Sequence, residues 1–368
     1  MKRGHEVSRG ILVLGLIVCS AHGLSAAERI VETVAGTGQP ENNGSEGLAE
    51  AINVGLPFGV EIGPDGALYF TEVGNHRVWR RDLESGQLKA VSGRGIKGYA
   101  GDGGSAFDAE LNEPYEVRFD GEGNLYFVEM QNHLVRRVDA QTGTITTIAG
   151  TGQPGFGGDG GPGAEAQLSV PHSIDLDDQG NLYIADIGNH RIRRVVLATG
   201  IIDTVAGTGE RRFPSDGATA KGSPIPGPRA LFVDGHTLWI ALREGNGVWR
   251  MDLDAGTLHH VAGTGEPGYT GDGGPAKEAT FNGPKGIAVG PERHVYVVDS
   301  ENDCIRKIDR RTGIVTTVAG SGRARSYAGD GGPAVKAKFS QPHGICVAAD
   351  GAIYVGDTLN HRVRRVAP

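Results

Sequence analysis

SIDLDDQGNLYIADIGNHRIRRVVLATGIIDTVAG, residues 173–207, contains four short runs of β-branched and aromatic residues separated by three turns. SIDLD (173–177) leads to the turn DQG, NLYIAD (181–186) to IGNH, RIRRVVL (191–197) to ATG, and IIDTVAG (201–207) ends the set. Runs of this length bounded by Gly, Asn and Asp read as strands and tight turns, not helices. The unit recurs. ETVAG, KAVSG, TTIAG, DTVAG, HHVAG and TTVAG end at Gly36, Gly93, Gly150, Gly207, Gly263 and Gly320, in steps of 57, 57, 57, 56 and 57 residues. A proline opens each first strand: Pro57, Pro114, Pro171, Pro228, Pro284 and Pro342.

A fixed period of this size is the signature of a repeat architecture. Six four-stranded sheets set radially form an all-β, six-bladed propeller, which leaves only short protected edges. The chain ends support closure. HRVRRVAP stops after a third strand, and RIVETVAG (29–36) is a fourth strand lacking its first three, so the N-terminal strand is predicted to complete the last blade. Glycine, at 61 of 368 residues, is more than twice its usual share of about 7%, as many tight turns require.

GNHRIRRV (188–195), LNHRVRRV (359–366) and GNHRVWRR (74–81) resemble the NHL repeat. YAGDGGSA, FGGDGGPG, YTGDGGPA and YAGDGGPA resemble the long loops of bacterial secreted NHL-repeat propellers. The resemblance covers residues 28–368 and implies the propeller fold. It implies no single function, because such propellers include binding modules, sensors and a few enzymes.

Antiparallel strand order puts the long loops, the starts of the first strands and the ends of the second strands on one face, the top. The residue after each marker proline then lies at the mouth of the central channel. In ring order these are Phe58, Tyr115, His172, Arg229, Lys285 and His343. Four consecutive blades offer basic or titratable groups. Glu61, Glu116, Arg118 and Asp175 lie deeper in the first three blades, so Arg229, Lys285 and His343 read as the uncompensated end. Arg229 has the fork geometry for a carboxylate or phosphate, Lys285 adds a point charge, and Phe58 or Tyr115 offers a face for stacking. Blade four departs from the pattern: LREGNG (242–247) replaces the usual turn and brings Arg243 to the same sector. The competing reading is an internal ion network with trapped water.

PHSIDL and PHGICV also resemble strand starts of the peptidyl-hydroxyglycine lyase, a propeller whose zinc is held by three histidines. That resemblance reaches only His172 and His343, three blades apart, whereas catalytic zinc takes three protein ligands. Zinc is therefore not expected. Calcium at Asp102, Asp159, Asp272 and Asp330 of the GDGG loops lacks an evident ligand set and is not expected either. An enzyme without metal would use His172 or His343 as base, Arg229 for a developing oxyanion and Tyr115 as acid. His76, His133, His190 and His361 recur at one turn and read as a shared hydrogen-bonding device. Glu72, Glu129, Asp186, Asp299 and Asp357 read as acceptors for turn N–H groups.

Lys2, Arg3 and Arg9 precede the apolar run ILVLGLIVC (11–19) and the small residues LSAA, which reads as a signal peptide over 1–27. LIVC only loosely matches a lipid-attachment box at Cys19, because Val18 is a poor residue before the acceptor. Formal charge is −8, and −10 without the leader, against nucleic-acid binding. Cys304 and Cys346 do not make a disulfide framework. The expectation is a periplasmic or secreted monomer without a membrane span, whose top face binds a small anionic or carbohydrate-derived ligand or a partner protein. The alternative is a lyase or lactone hydrolase.

Overall fold

The computed structural model describes residues 1, 29–323 and 325–368; the leader, Cys19 included, falls outside them except for Met1. Six antiparallel sheets form the blades. Blade three runs Ile174–Leu176, Asn181–Asp186, Arg191–Val196 and Ile201–Ala206. First strands of successive blades touch around the ring, and blade six meets blade one. Val31–Ala35 pairs antiparallel with Arg362–Val366 as the fourth strand of blade six, so the ring closes as predicted. Two sheets have a fifth strand, Glu46–Leu48 in blade one and Ala218–Thr219 in blade four. Both arise from entry loops that lack GDGG.

The apolar residues form six wedges, each filled from two adjoining blades; one joins Tyr126, Val128 and Leu168 with Ile174, Ile184 and Ile202. This follows from burying both faces of every sheet against neighbours.

A fully buried arginine organises four blades: Arg136, Arg193, Arg306 and Arg364. Each sits on the third strand, beside a bulge in the fourth. Arg136 lies between Glu129 (2.7 Å), from the end of the second strand, and Asp102 (2.8 Å), from the GDGG loop. Arg193 bridges Asp186 and Asp159, Arg306 bridges Asp299 and Asp272, and Arg364 bridges Asp357 and Asp330. The loop aromatic Tyr99, Phe156, Tyr269 or Tyr327 covers each guanidinium at 4.9–5.5 Å. The GDGG aspartates thus neutralise arginines, which explains the loop motif without calcium. Blades one and four, which lack GDGG, carry Trp79 and Trp249 at the arginine position. Trp79 donates to Glu72 at 2.7 Å, and Trp249 stacks on Phe213.

A second device links blades. The residue before each marker proline has positive φ: Leu56 (58°), Glu113 (54°), Val170 (46°), Gly227 (57°), Gly283 (55°) and Gln341 (43°). That conformation is unfavourable for a branched residue and unusual before proline. Its N–H donates to the turn residue of the preceding blade. His361, His76, His133 and His190 accept through Nδ1 at 3.0–3.3 Å, and Asn246 and Asp303 accept through Oδ1.

Two predictions follow from these devices. Arg193→Leu leaves Asp186 buried and unpaired, and is expected to lower unfolding free energy by about 3–5 kcal/mol. Asp159 is partly exposed, so Asp159→Asn should cost less than about 1.5 kcal/mol. Urea denaturation checks the order, and equal losses would contradict the clamp. The lock histidines accept a backbone N–H, and burial holds the pKa of His76, His133, His190 and His361 below the ordinary value. A folded pKa below the unfolded one makes their contribution present above about pH 6.5 and lost as pH falls. His133→Asn with His361→Asn, copying Asn246, should fall less in Tm than the parent between about pH 7.5 and about pH 5.5. Parallel pH profiles would refute that.

Candidate functional site

The lock places the residue after each proline at the axis, and all six predicted mouth residues assemble there. Four of them pack as a continuous wall of rings. His172 meets Tyr115 edge-on at 4.9 Å, Tyr115 meets Phe58 at 4.3 Å, and Phe58 meets His343 at 4.0 Å. Phe58 is therefore buried between two rings, so it packs the wall and is not the stacking face expected from the sequence. Burial raises the pKa of the Tyr115 phenol, keeping it protonated near neutrality.

The histidines are not cationic. Burial, with Arg229 and Lys285 nearby, drives His172 and His343 well below the ordinary range. Nδ1 of His172 lies 2.6 Å from the Val170 carbonyl, and Nδ1 of His343 lies 2.8 Å from that of Gln341. A carbonyl brings no proton, so each Nδ1 carries the hydrogen and each Nε2 is a lone-pair acceptor. Thr358 fixes His343 further: its hydroxyl donates to the Pro57 carbonyl and accepts from Nδ1 at 3.0 Å. The four-blade basic arc is thus two cations flanked by two neutral acceptors.

The cations differ. Lys285 Nζ lies 2.9 Å from Glu301, which also binds Arg325 and Gln341, so Lys285 is compensated, contrary to the sequence reading. Arg229 is only 5% exposed, and its guanidinium lies 5.3 Å from the Tyr115 ring centroid. Among the described residues no carboxylate lies within 4 Å of it and no protein group hydrogen-bonds it. Burial lowers its pKa to about 10, with exposed Arg243 acting in the same direction.

The deeper carboxylates are committed elsewhere. Arg118 contacts Glu116 at 2.8 Å and Glu61 and Asp175 at 3.4 Å. Burial lifts Glu61 to about 7 and Asp175 to about 6, and Arg118 is pushed upward mainly by these three neighbours against its own desolvation. Among the described residues no three His, Cys, Asp or Glu side chains converge as metal ligands, and two histidines with Arg229 and Lys285 between them do not suit zinc.

Sequence reading missed Glu301, Ser300 and Thr358. The signal was available: the position after the second-strand acid reads Val73, Met130, Ile187, Arg243, Ser300 and Thr358, apolar in blades one to three and polar in blades four to six. A groove of about 830 Å³ opens between blades one and two, lined by Glu46, Arg80, Lys89, Ser105, Phe107 and Val138 among others. No mouth residue lines it.

The NHL repeat profile matches residues 168–195 and 339–366, and the teneurin NHL domain profile matches 251–328. Protein SUPPRESSOR OF QUENCHING 1, chloroplastic, from Arabidopsis thaliana is 29% identical over 276 residues, covering 72% of this chain and 26% of that protein. NHL repeat-containing protein 2 from Bos taurus is 27% identical over 329 residues, covering 81% of this chain and 44% of that protein. The chain therefore spans less than half of either relative. Among solved structures, an auxiliary nutrient binding protein from Bacteroides thetaiotaomicron superposes with TM-score 0.68 at 18% identity, covering 92% of this chain and 76% of that one. A catalytically inactive histidine-to-alanine virginiamycin B lyase from Staphylococcus aureus, with quinupristin, gives 0.50 at 16%, covering 85% and 80%. A gluconolactonase from Xanthomonas campestris gives 0.55 at 12%, covering 86% of each chain. These likenesses show the fold alone. With six blades in register, NHL-repeat matches at 168–195 and 339–366 and similarity to NHL repeat-containing protein 2 along most of its length, the chain is a six-bladed β-propeller that carries NHL repeats.

Proposed function

We propose that the protein is an exported binding protein holding a small anion at the top mouth of its channel. The carrying observation is Arg229, a buried guanidinium with no carboxylate within 4 Å among the described residues. Arginine stays charged at neutral pH, and a lone buried charge costs several kcal/mol. A bound carboxylate offsets that cost and gains paired charge-assisted hydrogen bonds. Arg243 and Lys285 add attraction around it. The nutrient-binding description of one structural neighbour agrees with this role and with a periplasmic or secreted location. No helix among the described residues is long and apolar enough to cross a membrane.

A second reading, a lyase or lactone hydrolase, draws on the unprotonated Nε2 atoms of His172 and His343 in the ring that also carries Arg229. Either could take a proton while Arg229 stabilises developing negative charge and Tyr115 gives one up. The named neighbours include a lyase and a gluconolactonase.

Two measurements separate them. A carboxylate at a hundred times its Kd should stabilise the folded protein by about 2.7 kcal/mol. In a thermal-shift series with acetate, citrate and galacturonate, at least one should raise Tm, and Arg229→Ala with Lys285→Ala should abolish the rise while remaining folded. An undiminished rise in that variant removes the site from the mouth. For the enzyme, ring opening of gluconolactone should exceed the spontaneous rate and fall by about 100-fold or more in His343→Phe or His172→Phe. No acceleration by the parent protein rejects that chemistry.

A further inference from the structure

The mouth has a polarity pattern that charge alone does not capture. In ring order, His172, Arg229, Lys285 and His343 present acceptor, donor, donor and acceptor. The acceptors are fixed because both Nδ1 atoms are spent on backbone carbonyls. Among the described residues neither Nε2 has a hydrogen-bond partner, and neither atom is sealed from solvent. Ser300 stands at the same register offset from Lys285 as Thr358 does from His343. Thr358 is hydrogen-bonded, whereas the fully buried Ser300 hydroxyl has no partner among the described residues.

A simple anion cannot satisfy this set. Acetate, sulfate and dianionic phosphate present only acceptor oxygens, which a histidine lone pair repels. A neutral polyol satisfies the histidines but leaves Arg229 unpaired. Resting on the anion-site reading above, we infer that the ligand class is a hydroxylated carboxylate. Its carboxylate meets Arg229 and Lys285, and hydroxyls on either side donate to Nε2 of His172 and His343. The lone pairs then reject ligands without donors, which is specificity by exclusion as much as by attraction.

Gluconate and hexanoate test this, because they share chain length and carboxylate and differ in hydroxyls. By titration calorimetry gluconate should bind at least about tenfold more tightly, as two hydrogen bonds of ordinary strength allow. Sulfate and sorbitol should bind more weakly than gluconate. His172→Phe with His343→Phe keeps rings in the wall but removes both acceptors. It should weaken gluconate by about tenfold and leave hexanoate within about twofold. Circular dichroism confirms that the variant is folded. If it unfolds, the single His172→Phe protein is read by the same criterion. Equal binding of gluconate and hexanoate, sulfate binding as tightly as gluconate, or discrimination surviving in the folded variant overturns the inference while the anion site stands. Binding of none of these anions overturns both.

Discussion

A fully buried guanidinium between two carboxylates is the interaction on which this propeller is built. Desolvating two charges costs more than a single contact returns, so such a pair is favoured where further hydrogen bonds engage the remaining donors. Arg193 meets that condition through Asp186, Asp159 and the carbonyls of Gly157 and Gln167. Features that look separate in the sequence are parts of one assembly: the acid ending the second strand, the second arginine of the turn motif, and the aromatic and aspartate of the entry loop. The assembly ties the long loop down onto its own blade. Where the arginine becomes Trp79 or Trp249 the GDGG motif is also gone; in blade four Asp216 still accepts from the fourth-strand N–H of His260, and Lys277 and His259 lie beside it instead of a buried arginine.

The same rule singles out one axial residue. Arg136, Arg193, Arg306 and Arg364 each have two acidic partners, Arg118 has three and Lys285 has one. Among the described residues Arg229, nearly as buried, has none within 4 Å. Arg77 is as buried and also has no carboxylate within 4 Å among the described residues, but Asn42 and the Gly44 carbonyl accept from it, whereas no described protein group accepts from Arg229; local departures from structural consistency concentrate at functional positions. The inter-blade lock then gives the departure its precision. Positive φ at Val170, Gly227 and Gln341 is held by hydrogen bonds from the preceding blade, which fixes where His172, Arg229 and His343 enter the mouth.

The fold was legible because its determinants are local and repeated: strand, turn and proline recur in register, and the lone N-terminal strand announces closure. The identity of the mouth residues was legible for the same reason, since position after a proline is a property of the backbone. Their state was not. Whether His343 is charged depends on a carbonyl, a threonine and two cations from neighbouring segments. Whether Phe58 is free to stack depends on rings from blades two and six. Lys285 seemed uncompensated because Glu301 lies sixteen residues on, in a turn that reads as ordinary. Side-chain direction and contacts between blades, not strand pattern, settle these points.

Blade four brings both levels together. It loses its clamp at three places at once: Leu242 replaces the strand-end acid, Trp249 replaces the arginine, and the entry loop has no GDGG. Independent drift would leave orphaned charges, since losing one member of a buried pair costs more than losing both. None remains there. The blade instead packs Phe213 on Trp249 and places two arginines at the top, Arg229 in the mouth and Arg243 above it. With the acid and the usual turn gone from this one position, the ring gains positive charge where no blade supplies a counter-ion. Blade one also gives up the clamp, and Lys285 of blade five also reaches the mouth, so what sets blade four apart is that its lost clamp coincides with an axial guanidinium that no described carboxylate pairs.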